Sequence, residues 1–141
     1  MINNIFKGGI EMVVYITGIY AGFLAIMLVI LTKRVVNLRH AKKIGIETGA
    51  DKELTQAVRV HGNFTEYAPI ILILMGILEL NGMPSVYLHV MGSVLVISRI
   101  SHAVGLSRTT RGGKLRVYGM FATITLLVAG GGASILFSIL H

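Results

Sequence analysis

Three apolar runs and one long half-polar, half-apolar segment alternate along the chain with two basic stretches and a single short turn. Residues 12–32, MVVYITGIYAGFLAIMLVILT, carry no charge and match the roughly 20 residues needed to cross a hydrocarbon layer as a helix. The second segment begins near Asp51, a residue suited to an N-cap, and runs to about Leu80. As one helix it would span about 45 Å, more than the hydrocarbon thickness, so only its second half, 60–80, is expected to lie in lipid. Asn81-Gly82-Met83-Pro84 reads as a tight turn, with Gly for the helix end and Pro for the restart. The third span is expected at 85–106 and the fourth, again uncharged, at 117–140. The pattern predicts an all-α integral membrane protein, a four-transmembrane-helix bundle in one domain over residues 1–141.

Composition supports lipid as the solvent. Of 141 residues, 54% are hydrophobic and 13% charged, whereas a soluble domain averages about a quarter charged. So short a chain could not bury that much apolar surface in one core. The net charge of +7 would suggest nucleic acid in a soluble protein, but its distribution points elsewhere. Seven basic residues fall between Lys33 and Arg59 and five between Arg99 and Arg116, with only Lys7 outside. Basic clusters beside apolar spans mark cytoplasmic loops, which leaves both termini and the Asn81 turn outside. The aromatic residues sit mostly within apolar spans, so no stacking platform for bases is visible and no nucleic-acid partner is expected. With no cysteine, there is no disulfide and no protein thiolate, so any thiol chemistry must come from a bound small molecule.

Small residues recur inside the spans, as Gly18 and Gly22 in a GxxxG and as Gly130, Gly131 and Gly132 in the fourth. Both patterns predict close helix approach in lipid, within or between subunits.

The chemistry concentrates in RVHGNFTEYAP, residues 59–69. Arg59, Asn63 and Glu66, at i, i+4 and i+7, fall within a stripe of about 60°, with Tyr67 beside it. Pro69 has no N–H for the carbonyl of Thr65, which predicts a bend or loosening there. Arg99 and His102 share one face of the third span. An arginine so deep needs an anion, and Glu66 or a bound carboxylate would supply it. The alternatives are an internal Arg59–Glu66 bridge that only fixes packing and a packing role for His102. Arg116 opens the fourth span, while Arg108 and Arg111 suit snorkelling to lipid headgroups. His89 lies on a largely apolar face with no evident partner. No metal-ligand spacing, serine triad or phosphate loop stands out. Three arginines with a glutamate, an asparagine and a histidine suit a small anionic zwitterion. Arginine grips carboxylates in bidentate fashion, Glu66 meets an ammonium, and residual positive charge favours a thiolate.

That arrangement resembles the membrane-associated proteins in eicosanoid and glutathione metabolism, the MAPEG family, and most closely its bacterial inner-membrane branch. The likeness covers about residues 12–139. It rests on Arg59, Asn63, Glu66, Tyr67 and Pro69 at their spacing, with Arg99 and His102 in support. The resemblance implies a homotrimer of four-helix bundles that binds glutathione between subunits. Residues Arg59, Asn63, Glu66, Tyr67, Arg99 and His102 would contribute to that site, and Arg116 would stabilise the thiolate catalytically. Arg34 or Arg39 would supply the basic residue of the first helix, Asn37 standing where that arginine is most expected. Gly62 and Leu106 stand where some eukaryotic members have an arginine and a tyrosine, which weakens any inference to eicosanoid synthesis. The function implied is a glutathione-dependent membrane enzyme. It would conjugate lipophilic electrophiles arriving from the bilayer or reduce lipid hydroperoxides. The alternative is a non-catalytic trimeric scaffold or lipid-ligand-binding protein of the same fold. A transporter is disfavoured, since no inverted repeat or matched pair of broken helices appears.

Overall fold

The computed structural model describes residues 14–108 and 113–140. They form four helices, α1 (Tyr15–Lys42), α2 (Lys52–Leu80), α3 (Ser85–Arg108) and α4 (Lys114–Leu140). Lys7, Arg111 and the expected start of the first span at Met12 lie outside the described residues. All four helices are long and apolar enough to cross a membrane. This follows from the absence of water in the bilayer, where a spanning segment must satisfy its backbone polar groups internally.

The second helix starts where its cap predicts. Asp51 accepts from the N–H of Leu54 at 2.8 Å and from Lys42 Nζ at 2.6 Å. The Leu54 N–H first, and the Lys42 ammonium second, hold the Asp51 carboxyl below its ordinary range. α1, by contrast, runs ten residues past the expected span end at Thr32. The residues after Thr32 are mostly good helix formers, and no Gly or Pro intervenes before Gly45. It ends on Lys43 in the left-handed region, φ 55°. Pro69 lies inside α2, and the helix is assigned unbroken from Lys52 to Leu80.

At the opposite end, α1 has no cap of its own. The Glu79 carboxylate, from the last turn of α2, accepts from the N–H groups of Ile16 at 2.7 Å and Thr17 at 2.8 Å. Two of the orphan donors of a helix N-terminus are thus satisfied by a negative charge, which the helix dipole also favours.

α2 and α3 pack on each other and form the centre. α1 lies against both and α4 against both, and among the described residues the backbones of α1 and α4 stay apart. The core joins Leu24, Phe64, Ala68, Ile71, Met75, Leu95 and Leu126 from all four helices. Large apolar side chains such as Phe23, Ile26, Phe121 and Val128 point outward, which suits a lipid-facing surface.

The closest approaches to backbone use glycines outside the conspicuous motifs. A Cβ on Gly119 of α4 would lie 2.7 Å from the backbone of Ser98 and His102. A Cβ on Gly105 of α3 would overlap the backbone of Leu115 and Arg116, and one on Gly92 would overlap the Tyr20 ring. Gly130 lies near Met91 and Leu74, but Gly18, Gly22, Gly131 and Gly132 have nothing within 4 Å. The α3–α4 contact is therefore backbone on backbone at two levels.

Gly119→Ala cannot be absorbed by rotating a side chain. We expect it to destabilise the protein by about 1–3 kcal/mol, as overpacking does. Unfolding in mild detergent measures this, with Gly131→Ala, which meets open space, as the control that loses no stability.

Candidate functional site

The end of the bundle where α2 and α4 begin and α3 finishes carries an open cleft of about 680 Å³. Its lining includes Arg59, Asn63 and Glu66 from α2, His102 from α3 and Arg116 from α4. The α2 residues arrive there by helical spacing. His102 and Arg116 arrive there because Gly105 and Gly119 allow α3 and α4 into contact just at their level. Lys52, Thr55 and Gln56 also line the cleft and escaped the sequence reading. Gln56, one turn before Arg59 on the same stripe, was legible in principle; its Nε2 donates to the carbonyl of Leu106.

Arg99 and Tyr67 do not line this cleft but stand behind it. Arg99 is only 2% exposed. Its Nη1 donates to Asn63 Oδ1 at 2.9 Å, and its Nη2 donates to Thr123 Oγ1 and, at 3.4 Å, to the carbonyl of Gly119. Its guanidinium carbon lies 5.8 Å from the centre of the Tyr67 ring, a cation–π distance. The expectation that Glu66 is the protein anion facing Arg99 is corrected here. Neutral oxygens and an aromatic face surround the guanidinium, and the Thr123 and Gly119 oxygens gave no signal in an otherwise apolar fourth span.

The Arg99 contact also fixes the Asn63 amide. A guanidinium has only donors, so the amide oxygen must face it, and the NH₂ remains for other partners. Asn63 lines the main cleft and also a second, adjoining one of about 600 Å³. This second cleft shares Asn63, His102 and Arg116, and is completed by Val117, Met120, Phe121 and Ile124.

Among the described residues, the charged side chains of the cleft have no counter-ions. Among the described residues the ion pairs are those of Lys42 with Asp51 and Glu53, and neither Arg59 nor Arg99 bridges Glu66. Glu66 and Arg59 are exposed, and Arg116 is half-buried. The internal Arg59–Glu66 bridge weighed as an alternative is therefore not formed.

Arg34 and Arg39 lie away from the cleft within this chain. Arg34 Nη1 donates to Ser107 Oγ at 2.7 Å. Arg39 Nη1 donates to the carbonyls of Ile44, Gly45 and Glu47 at 3.3, 3.1 and 2.9 Å. His89, left without a partner by the sequence reading, has one in Tyr20. The Tyr20 hydroxyl lies 3.1 Å from His89 Nδ1 and 3.0 Å from the His89 carbonyl.

Four apolar helices with a charged cleft at one end define a polytopic membrane protein. The chain belongs to the MAPEG family, whose model matches residues 17–136. It is 36% identical over 90 residues to the inner membrane protein YecN of Escherichia coli strain K12, covering 64% of this chain and 69% of that protein. The same identity and coverage hold for YecN of the O6:H1 strain CFT073.

If the planar fork of Arg99, rather than its charge alone, ties α2 to α4, then Arg99→Lys should not be conservative. A lysine ammonium cannot reach Asn63, Thr123 and Gly119 together, which leaves a buried oxygen unpaired. A loss of about 1–3 kcal/mol in unfolding free energy is expected. Unchanged stability in the lysine variant would show that charge alone suffices.

Proposed function

We propose that this protein binds glutathione in the cleft between α2, α3 and α4 and uses it on lipophilic compounds that enter from the bilayer, as a transferase, a peroxidase or both. One observation carries the reading: Arg59, Arg116 and Glu66 line a single cleft, and among the described residues none of them has a counter-ion. Glutathione presents two carboxylates, one ammonium and a thiol, the complement of that set. The cleft lies within the roughly 300–1,000 Å³ usual for small-molecule sites. Arg99 Nε, buried with no bond partner, is a further unused donor behind Asn63.

The roles follow from the chemistry of each side chain. Arg59 takes a carboxylate in bidentate fashion, Glu66 takes the ammonium, and the Asn63 NH₂, oriented by Arg99, donates to a second carboxylate oxygen. Tyr67 and Arg99 hold Asn63 and the α2 stripe in place. His102 and Arg116 line both clefts, so they stand where polar ligand and apolar substrate meet. Bound glutathione supplies the nucleophilic and reducing thiol that a chain without cysteine lacks. Arg116 favours the deprotonated sulfur by its charge, and Val117, Met120, Phe121 and Ile124 hold an apolar substrate beside it. The reading extends to a homotrimer in a bacterial inner membrane, with basic loops cytoplasmic and termini outside. Its support is the family, the name borne by the YecN relative and the charge asymmetry of the loops.

Thermal unfolding in mild detergent, with and without millimolar glutathione, tests the binding. A ligand at a hundred times its dissociation constant adds about 2.7 kcal/mol of stability. We expect a shift of that order, lost in Glu66→Ala. No shift in the folded protein would favour the scaffold or lipid-ligand reading. A second expectation concerns Arg116→Ala: turnover of a lipophilic electrophile should fall far more than glutathione affinity. Parallel losses in both would remove Arg116 from the role of thiolate stabiliser.

A further inference from the structure

A third cleft, of about 470 Å³, lies between the last turns of α1 and the loop that follows. It is lined by Val36, Arg39, His40, Lys43, Ile44 and Gly45. We infer that it is a binding site for the headgroup of an anionic glycerophospholipid, independent of the glutathione cleft.

The depth is right. The uncharged part of α1 ends at Thr32, and the helix advances 1.5 Å per residue, so Val36 to His40 lie about 6–12 Å further on, in the headgroup layer. Lys33, Val36, His40 and Lys43 fall on one stripe of α1 about 80° wide, basic at both ends with an apolar residue between. Beside the cleft, Ile46 is 86% exposed. An isoleucine held out on a basic loop at this depth suits acyl chains rather than water.

The cleft is also built rather than incidental. Arg39 Nη1 ties together the carbonyls of Ile44, Gly45 and Glu47, closing the loop back over the helix end. Within that loop Lys43, the helix C-cap, and Glu47 lie in the left-handed region, at φ 55° and 58°. Among the described residues, Arg39 Nε and Nη2 take no bond, although the side chain lines the cleft. One edge of the guanidinium is thus fixed by backbone oxygens, and the other is free for a phosphodiester, the acceptor geometry it matches best. No carboxylate lines the cleft, whereas the glutathione cleft has Glu66. This cleft therefore selects a plain anion and not a zwitterion.

Native mass spectrometry of the full chain in mild detergent tests this with phosphatidylglycerol and phosphatidylcholine of identical acyl chains. Preferential retention of phosphatidylglycerol is expected. Lys43→Asn, which keeps the left-handed cap, should weaken it about fivefold, and Lys33→Gln, on the stripe but outside the cleft, by under about twofold. Equal retention of the two lipids, or equal losses in the two variants, would overturn the site in favour of diffuse charge attraction. Millimolar inorganic phosphate or glutathione should not displace the lipid. Displacement by either would assign the cleft to a soluble anion and end the lipid reading, whatever the outcome at Glu66.

Discussion

The burial of Arg99 is the constraint on which the polar end of the bundle depends. A guanidinium at membrane depth loses its water, a cost of several kcal/mol that persists unless each donor finds an oxygen in good geometry. Here Nη1 and Nη2 are met by three oxygens on two helices, Asn63 on α2 and the Thr123 hydroxyl and Gly119 carbonyl on α4, while Nε takes no bond. Thr123 is itself held, donating to the Gly119 carbonyl at 2.8 Å. Because these partners are dipoles and not carboxylates, the arginine keeps its positive field behind the cleft. A Glu66–Arg99 bridge would have removed the anion from the cleft and cancelled that field.

This arrangement requires α3 and α4 to approach until their backbones touch, and lipid offers no hydrophobic drive to bring them there. Packing of small residues substitutes for it. Gly105 and Gly119 sit opposite backbone on the partner helix, one on each side of the contact. Their combined effect is to place Arg116 beside His102 and the Gly119 carbonyl within reach of Arg99. The same two glycines thus serve the packing and the site.

The bundle was legible in the sequence because lipid imposes a coarse rule: apolar length, turns and basic loops. The stripe of Arg59, Asn63 and Glu66 was legible because it lies within one helix, where spacing alone determines the face. What depended on contacts between helices was not. The Arg99 partners, the Tyr20–His89 contact and the Glu79 cap on α1 each join residues more than 19 positions apart, and no local pattern marks them. The glycine motifs show the same limit: within this single chain Gly130 meets Met91 and Leu74, whereas Gly18 and Gly22 meet nothing. GxxxG is a local pattern, whereas close approach depends on what stands opposite, and single glycines at positions 92, 105 and 119 met the neighbours that Gly18 and Gly22 did not.

The two ends of the basic distribution divide the work physically. Along α1, charge is matched to a surface: arginine and lysine around a carbonyl-tied loop, with no acid lining the cleft. Between α2 and α4, charge is matched to a molecule: two arginines, one glutamate and an amide whose direction is set from behind. A phosphatidylglycerol headgroup has no ammonium to satisfy Glu66, and a carboxylate left unmatched beside Arg59 and Arg116 would weaken a site for it. The glutamate is therefore the residue that separates the two chemistries. Among the described residues it has no ionic partner, which argues for a ligand carrying both signs of charge.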